Sequence, residues 1–266
     1  MSKVRLDLLL VARGLAESRA VAQRLIMAGQ VRVGGQMLLK AATPVASDAP
    51  LEVLARPRYV SRGGEKLEAA LQAFAVPVAG RVCADVGAST GGFTDCLLQA
   101  GAARVYAIDV GRGILDWKLR QDERVVVMEE TNARFVERLP EKVSVVTIDA
   151  SFISLKLLLP VTRAWFSPDA ADDHLIALIK PQFEAGQRLA ARHRGVIRDP
   201  AIHRQVLNEV LTFAQTCGYG LRGLIRSPLL GPKGNVEFLA WLQWPAAASP
   251  TDVGDCVAAA LAQSAD

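Results

Sequence analysis

The stretch Arg81–Leu98, RVCADVGASTGGFTDCLL, decides the fold. It opens with an apolar run of strand length, breaks at Gly87, Gly91 and Gly92, and continues as a segment able to form a helix. A glycine turn between a strand and a helix lets a ligand approach the backbone closely. Asp109 lies 22 residues beyond Gly87, at the end of the next apolar run. A carboxylate there can accept hydrogen bonds from both hydroxyls of a ribose, so the two features together point to a nucleotide-type site.

Onward from this stretch, short apolar runs alternate with helix-length segments: RVYAIDV, RVVVME, VSVVTID, HLIALIKP, LRGLIRS and VEFLAWLQW. Continuous apolar strands separated by helices predict an α/β fold, a Rossmann-like, doubly wound and mainly parallel sheet covered on both faces. The last two strands are expected to form an antiparallel edge. Asp199-Pro200 supplies an N-cap and a proline at the first helical position for a long helix ending at Cys217-Gly218. The same glycine loop also spells G-x-S-x-G from Gly87 to Gly91, the nucleophile turn of hydrolases. A hydrolase needs a downstream histidine, for which His174, His193 and His203 are available, and it normally places several strands ahead of its nucleophile. This chain has a small basic domain there instead.

That domain occupies about the first 60 residues and reads as α+β. RLDLLLVAR forms a helix stopped by Gly14, and a second helix runs from an N-cap at Ser18 to near Gly29. On the second helix Val21, Leu25 and Ala28 share a packing face, while Arg19, Gln23 and Gln30 line the other and can meet a phosphate backbone. VRVGGQMLL is a hairpin around Gly34-Gly35, and TPVASDAPLEVL adds short strands. Residues 1–66 carry 11 Lys or Arg against 5 Asp or Glu, although the whole chain is only +4. A polyanion-binding module on a nearly neutral body explains this asymmetry, and so does solvated surface charge. A basic linker over residues 55–65 follows, with Pro57 and Gly63-Gly64 breaking regular structure.

The four cysteines are scattered and form no C-x-x-C pair, so no metal site is expected. No apolar run reaches the roughly 18 residues of a membrane-spanning helix, and no cleavage site follows the N-terminal apolar stretch. A cytoplasmic protein without stable membrane association is expected.

Four motifs, ADVGASTGGFTD (84–95), TIDASFIS (147–154), LIKPQFEAG (178–186) and GPKGNVEFL (231–239), resemble those of the FtsJ-type, S-adenosylmethionine-dependent ribose methyltransferases. The front of the chain resembles the RNA-binding domain first seen in a ribosomal small-subunit protein. In this order, across nearly the whole chain, the two resemble the TlyA family. The resemblance implies an RNA-binding domain over 1–60, a methyltransferase domain over 61–247 and a C-terminal helix or tail over 248–266. It implies S-adenosylmethionine as cofactor and ribosomal RNA or a ribosomal subunit as partner. The implied target is a cytidine 2′-hydroxyl, in 23S rRNA first and 16S rRNA second, because the short N-terminus looks like that of members acting on the large subunit alone.

In that family a Lys, an Asp, a Lys and a Glu surround the reacting ribose, and the matching positions are Lys66 in RGGEKL, Asp149, Lys180 and Glu237. Asp149 and Lys180 each end an expected parallel strand, the edge at which open α/β sheets bind ligands. A ribose hydroxyl is a poor nucleophile at neutral pH and loses its proton as it attacks. Lys180 is therefore expected to act as base or alkoxide stabiliser, with Asp149 and Glu237 orienting both amines. In-line positioning supplies most of the remaining rate, and no nucleophilic cysteine is needed. Asp85, Gly87, Ser89, Thr90, Gly91, Gly92 and Phe93 are expected near the cofactor's methionine moiety, Asp109 on its ribose and Asn132 near its adenine. Arg13, Arg19, Arg24, Arg32, Arg56, Arg58 and Arg62 are candidate phosphate contacts. The arginine-rich segment EAGQRLAARHRGVIRDP (184–200) lies beside the expected active edge as a clamp, a mobile loop or simply a solvated loop. Two other readings stand beside this one: a membrane-active haemolysin, after the family's older name, and a non-catalytic rRNA-binding assembly factor.

Overall fold

The computed structural model describes residues 3–27, 29–54, 57–169, 172–246 and 251–263. The chain divides into two compact units, Met1–Arg58 and Tyr59–Asp266.

The first unit comprises β1 (Lys3–Arg5), α1 (Leu6–Ala12), α2 (Arg19–Met27), β2 (Val31–Val33), β3 (Gln36–Met37), β4 (Pro44–Ala46) and β5 (Leu51–Val53). β1 pairs with β4, and β2 lies between β3 and β5, all antiparallel. Leu6, Leu9 and Leu10 share one face of α1 and pack on Ala22 and Ile26 of α2, with Val31 and Val45 completing the core. Among these apolar residues Asp7 is also fully buried. Its carboxylate accepts from Arg5 Nη2 at 2.9 Å, Arg19 Nε at 3.0 Å and Gln23 Nε2 at 3.0 Å. The Arg5 guanidinium, helped by Gln23 and Arg19, holds the Asp7 carboxyl well below the usual carboxylate range. The α2 face expected to meet phosphate is thus partly used inside the domain. A buried carboxylate needs donors, Arg19 and Gln23 supply them, and Gln30 is itself buried. Ala28 and Arg56 lie outside the described residues.

The second unit opens with α3 (Gly63–Phe74), then β6 (Val82–Val86), α4 (Gly92–Gln99), β7 (Arg104–Ile108), α5 (Trp117–Arg120), β8 (Val125–Met128), β9 (Val145–Ile148) and α6 (Leu155–Arg163). It continues with β10 (Asp173–Ile179), α7 (Pro181–Glu184), α8 (Gln187–Arg192), α9 (Pro200–Thr216), β11 (Gly220–Arg226), β12 (Phe238–Trp244) and α10 (Val253–Ala262). The seven strands form one sheet in the order β11-β12-β10-β9-β6-β7-β8. Strands β10, β9, β6, β7 and β8 are mutually parallel, and β12 is antiparallel to both of its neighbours.

The central strands are mostly apolar because both faces of the sheet are covered. Leu67 and Ala70 of α3 and Phe93 and Leu97 of α4 bury one face with Cys83, Val105, Ile176 and Leu178. Leu155 and Leu158 of α6, Val206 and Val210 of α9 and Val257 of α10 bury the other with Val86, Val146 and Ile179. Each such side chain contributes about 1.5–3 kcal/mol.

One expectation changes here. Gly63-Gly64 does not interrupt regular structure but opens α3, because a Cβ on Gly64 would lie 2.2 Å from the Tyr59 ring and only glycine admits that packing. Past residue 250 the helix expected there is α10, which packs on α9 and β11 and buries Val257 and Ala260.

Candidate functional site

At the C-terminal edge of the parallel strands, the loop after β6 turns through Gly87, with φ of 82°. A Cβ there would fall 2.7 Å from the carbonyl oxygen of Asp149, so the loop can pass over the end of β9 only as glycine. Gly87 N and Ala88 N both donate to Ile108 O, and Ser89 N donates to Asp109 Oδ2 at 2.8 Å. Gly92, the first residue of α4, abuts the start of α3; its Cβ would meet Ser61 Oγ at 2.3 Å. Beneath the loop, Asp85 accepts from Thr94 Oγ1 at 2.7 Å and Thr147 Oγ1 at 3.0 Å. Complete burial pushes its carboxyl up to about 7. Asp85 therefore ties β6 to α4 and β9 and does not face the ligand side.

The loop forms one wall of a cleft of about 820 Å³, and Lys66, Asp149, Lys180 and Glu237 all line it. Lys66 comes from the first turn of α3, Asp149 follows β9, Lys180 follows β10 and Glu237 precedes β12. Lys180 Nζ lies 2.6 Å from Asp149 Oδ1 and donates to Ser151 Oγ at 2.9 Å. Lys66 Nζ donates to Glu237 Oε2 at 2.6 Å. Each carboxylate thus holds one amine, whereas the sequence reading has both carboxylates orienting both. Glu237 is 1% exposed and Lys180 7%. Leaving either without its partner would strand a buried charge, at a cost of about 3–5 kcal/mol.

Ser89, Thr90 and Phe93 of the loop line the same cleft, together with Gly87 and Gly92. Gly91 lies behind it, packed on Leu119 and Leu115. Asp109 and Asn132 do not line it. Asp109 directly follows β7 and accepts from Ser89 N and Gly111 N, one on each oxygen. Two oxygens offer about four lone-pair positions, so capacity for hydroxyl donors remains. Asn132 is exposed and caps the short helix Ala133–Phe135. The bare glycine backbone and the Asp109 carboxylate together fit a nucleoside-bearing ligand.

Several lining residues were not singled out from sequence. Phe152 is 89% exposed with φ of 63°, and its ring lies 4.8 Å from that of Phe183. A left-handed aromatic costs about 1–3 kcal/mol and persists where its surroundings hold it. Two and three residues further on, Ser154 Oγ and Leu155 N donate to Glu184 at 2.6 Å and 2.8 Å. Gln182 is buried on the cleft wall, and Asn235 lines it two residues before Glu237. Phe152 and Phe183 sit inside the quoted motifs TIDASFIS and LIKPQFEAG, which was the one signal available.

Among the arginine candidates, Arg62 is exposed and lines the cleft. Arg24, Arg32 and Arg58 are exposed. Arg13 donates to Ala49 O and Ser47 O, and Arg19 bonds Asp7, so these two support the first unit's own structure. The hydrolase alternative finds no base: no histidine lines the cleft among the described residues. His174, near the opposite end of β10, accepts from Trp241 Nε1, and His203 bonds Ile197 O. No metal-binding group of His, Cys, Asp and Glu occurs among the described residues.

The model of the FtsJ-like methyltransferase family matches residues 59–244, and that of the S4 domain matches residues 4–49. A Bacillus subtilis protein named as an rRNA methyltransferase, YqxC, is 51% identical over 250 residues, covering 91% of this chain and 86% of its own. The 16S/23S rRNA (cytidine-2′-O)-methyltransferase TlyA of Mycobacterium tuberculosis is 47% identical over 245 residues, 91% of this chain and 90% of its own. A solved structure of a hemolysin-named protein from Streptococcus thermophilus matches with a TM-score of 0.71 at 42% identity, covering 98% of this chain and 96% of that one.

Proposed function

Because the chain belongs to the FtsJ-like methyltransferase family and to the TlyA group within it, we propose that it methylates the 2′-hydroxyl of a cytidine in ribosomal RNA, 23S rRNA being the first substrate to test. The observation that carries this reading is the convergence of two amine–carboxylate pairs in one cleft beside the glycine loop. S-adenosylmethionine, held by the Gly87–Phe93 loop and Asp109, supplies an activated methyl group when bound. The protein's own task is to bring a ribose hydroxyl in line with it and to take up the proton as the oxygen attacks.

Lys180 is the group placed for that oxygen. Asp149 and Ser151 occupy two of its positions, and at the third the Nζ lone pair takes the 2′-hydroxyl proton as the oxygen attacks the methyl group, which leaves an ammonium held by the Asp149 carboxylate. Lys66, held by Glu237, steadies the same ribose from the α3 side. The exposed Phe152 ring offers a face on which an unstacked base can rest, as single-stranded RNA recognition requires. The S4 domain supports an RNA partner. Hemolysin is a family label, and no helix among the described residues is long and apolar enough to cross a membrane.

The test is transfer of labelled methyl groups from S-adenosylmethionine to unmodified 16S and 23S rRNA and to both ribosomal subunits, comparing wild type with Lys180→Ala. Label in a mapped 2′-O-methylcytidine, reduced at least 100-fold in the variant, supports the reading. No incorporation into any RNA or subunit by folded protein refutes it.

A further inference from the structure

The segment from Gly186 to Arg198 is not used by this mechanism. It contains Arg188, Arg192, Arg194 and Arg198 and no Asp or Glu. All four arginines are exposed, and none forms an ion pair with a carboxylate among the described residues. Its two glycines, Gly186 and Gly195, line the cleft, the second directly following Arg194. The far end is fixed to the catalytic motif. Asn235, two residues before Glu237, accepts from Ile197 N at 3.1 Å and donates to Gly195 O at 3.0 Å. His203 also bonds Ile197 O at 3.0 Å. The exposed Arg62 and Lys233 add two more cations to the cleft lining. S-adenosylmethionine carries a single carboxylate and no phosphate, so it can use only a small part of this charge. A polyanion whose ribose enters the cleft places a phosphate on either side of it, where exposed guanidinium groups can grip.

We propose that residues 186–198 are a phosphate grip for the RNA backbone flanking the target nucleotide, registered on the cleft through Asn235. The inference rests on the ribose methyltransferase reading but is tested by a different readout. Binding of unmodified 23S rRNA fragments to the full-length protein is measured over a KCl series for wild type and for an R188A/R192A/R194A variant. Every phosphate that the protein ceases to neutralise lowers the slope of log K against log salt by about 0.7–0.9, so the slope for the triple variant is expected to fall by about 2. Its KM for RNA should rise more than its kcat falls, and its Kd for S-adenosylhomocysteine should not change. The R188K/R192K/R194K variant should keep most of the slope, because lysine binds phosphate as a point charge.

An unchanged slope and KM in the alanine variant would overturn the grip even if the protein methylates rRNA. A reduced slope in a protein that never methylates rRNA would uphold the grip and remove the methyltransferase reading. Absence of RNA binding by wild type would overturn both.

Discussion

Gly231 tests whether the cleft depends on the exact seat of one carboxylate. A Cβ added there would lie 2.0 Å from Glu237 Oε1 and 2.5 Å from its Cδ. Contacts under 3.0 Å are not tolerated, so the carboxylate or the loop has to retreat by about 1 Å. The loop resists, because Gly231 N donates to Asn235 O at 2.8 Å and Gly231 O accepts from Gly234 N at 3.1 Å. Glu237 gives way and its 2.6 Å bond to Lys66 breaks. A misplacement of this size costs about 100-fold in rate, while overpacking costs about 1–3 kcal/mol of stability. Methyl transfer should therefore fall about 100-fold in kcat for Gly231→Ala at temperatures well below its melting point. The mechanism is isolated by a double-mutant cycle with Glu237→Ala, which removes the atoms that collide. On that background Gly231→Ala should cost little further activity. Fully additive losses, or a wild-type kcat in the single variant, would refute the argument.

Three further outcomes are expected. Phe152→Ala should lower kcat/KM for RNA about 5- to 100-fold, the worth of one base–aromatic stack, with no loss of thermal stability because the ring is exposed; a steady-state comparison with a melting curve checks both. Asp7→Asn should destabilise the first unit by about 1–3 kcal/mol, less than for a fully buried pair because Arg5 and Arg19 are themselves exposed. The folded Asp7 carboxyl lies below its unfolded value, so its contribution is complete above about pH 4 and is lost as pH falls further. Melts between pH 2 and 6 should show that loss in wild type and not in the variant. Asp85 has the opposite sign: with its folded value raised to about 7, wild type should lose stability as pH rises from about 4 through 7. Asp85→Asn should flatten that part of a urea-midpoint series against pH.

The strands were legible because the central ones are buried on both faces and read as mostly apolar runs; five of the seven lie inside the runs quoted from sequence, and β10 and β11 begin one residue before theirs. The glycine loop was legible for a related reason, since Gly87 has a backbone carbonyl where a side chain would be. What escaped depends on partners distant in sequence. Lys66 and Glu237 are 171 residues apart, and only the docking of α3 beside β12 decides which carboxylate each amine meets. Gly63-Gly64 reads as a breaker until the Tyr59 ring is placed against it. Asp7 looks like an ordinary polar position on a short helix until Arg5, Arg19 and Gln23 close around it. Phe152 gives no periodic signal because it packs on no core.

The antiparallel β12 has a consequence for the order in which the protein can become competent. It follows β11 in the chain, yet it occupies an interior place, paired over its whole length with β10 on one side and β11 on the other. Because it runs against its neighbours, its beginning lies where theirs end, and that is how Glu237 reaches the edge that Asp149 and Lys180 occupy. A growing chain that has made β6 to β11 already holds the glycine loop, Asp149 and Lys180, but β10 has an open flank and Lys66 has no carboxylate. Completion of the cleft therefore waits for β12, and a chain that stops before it is left with an unpaired strand flank on β10.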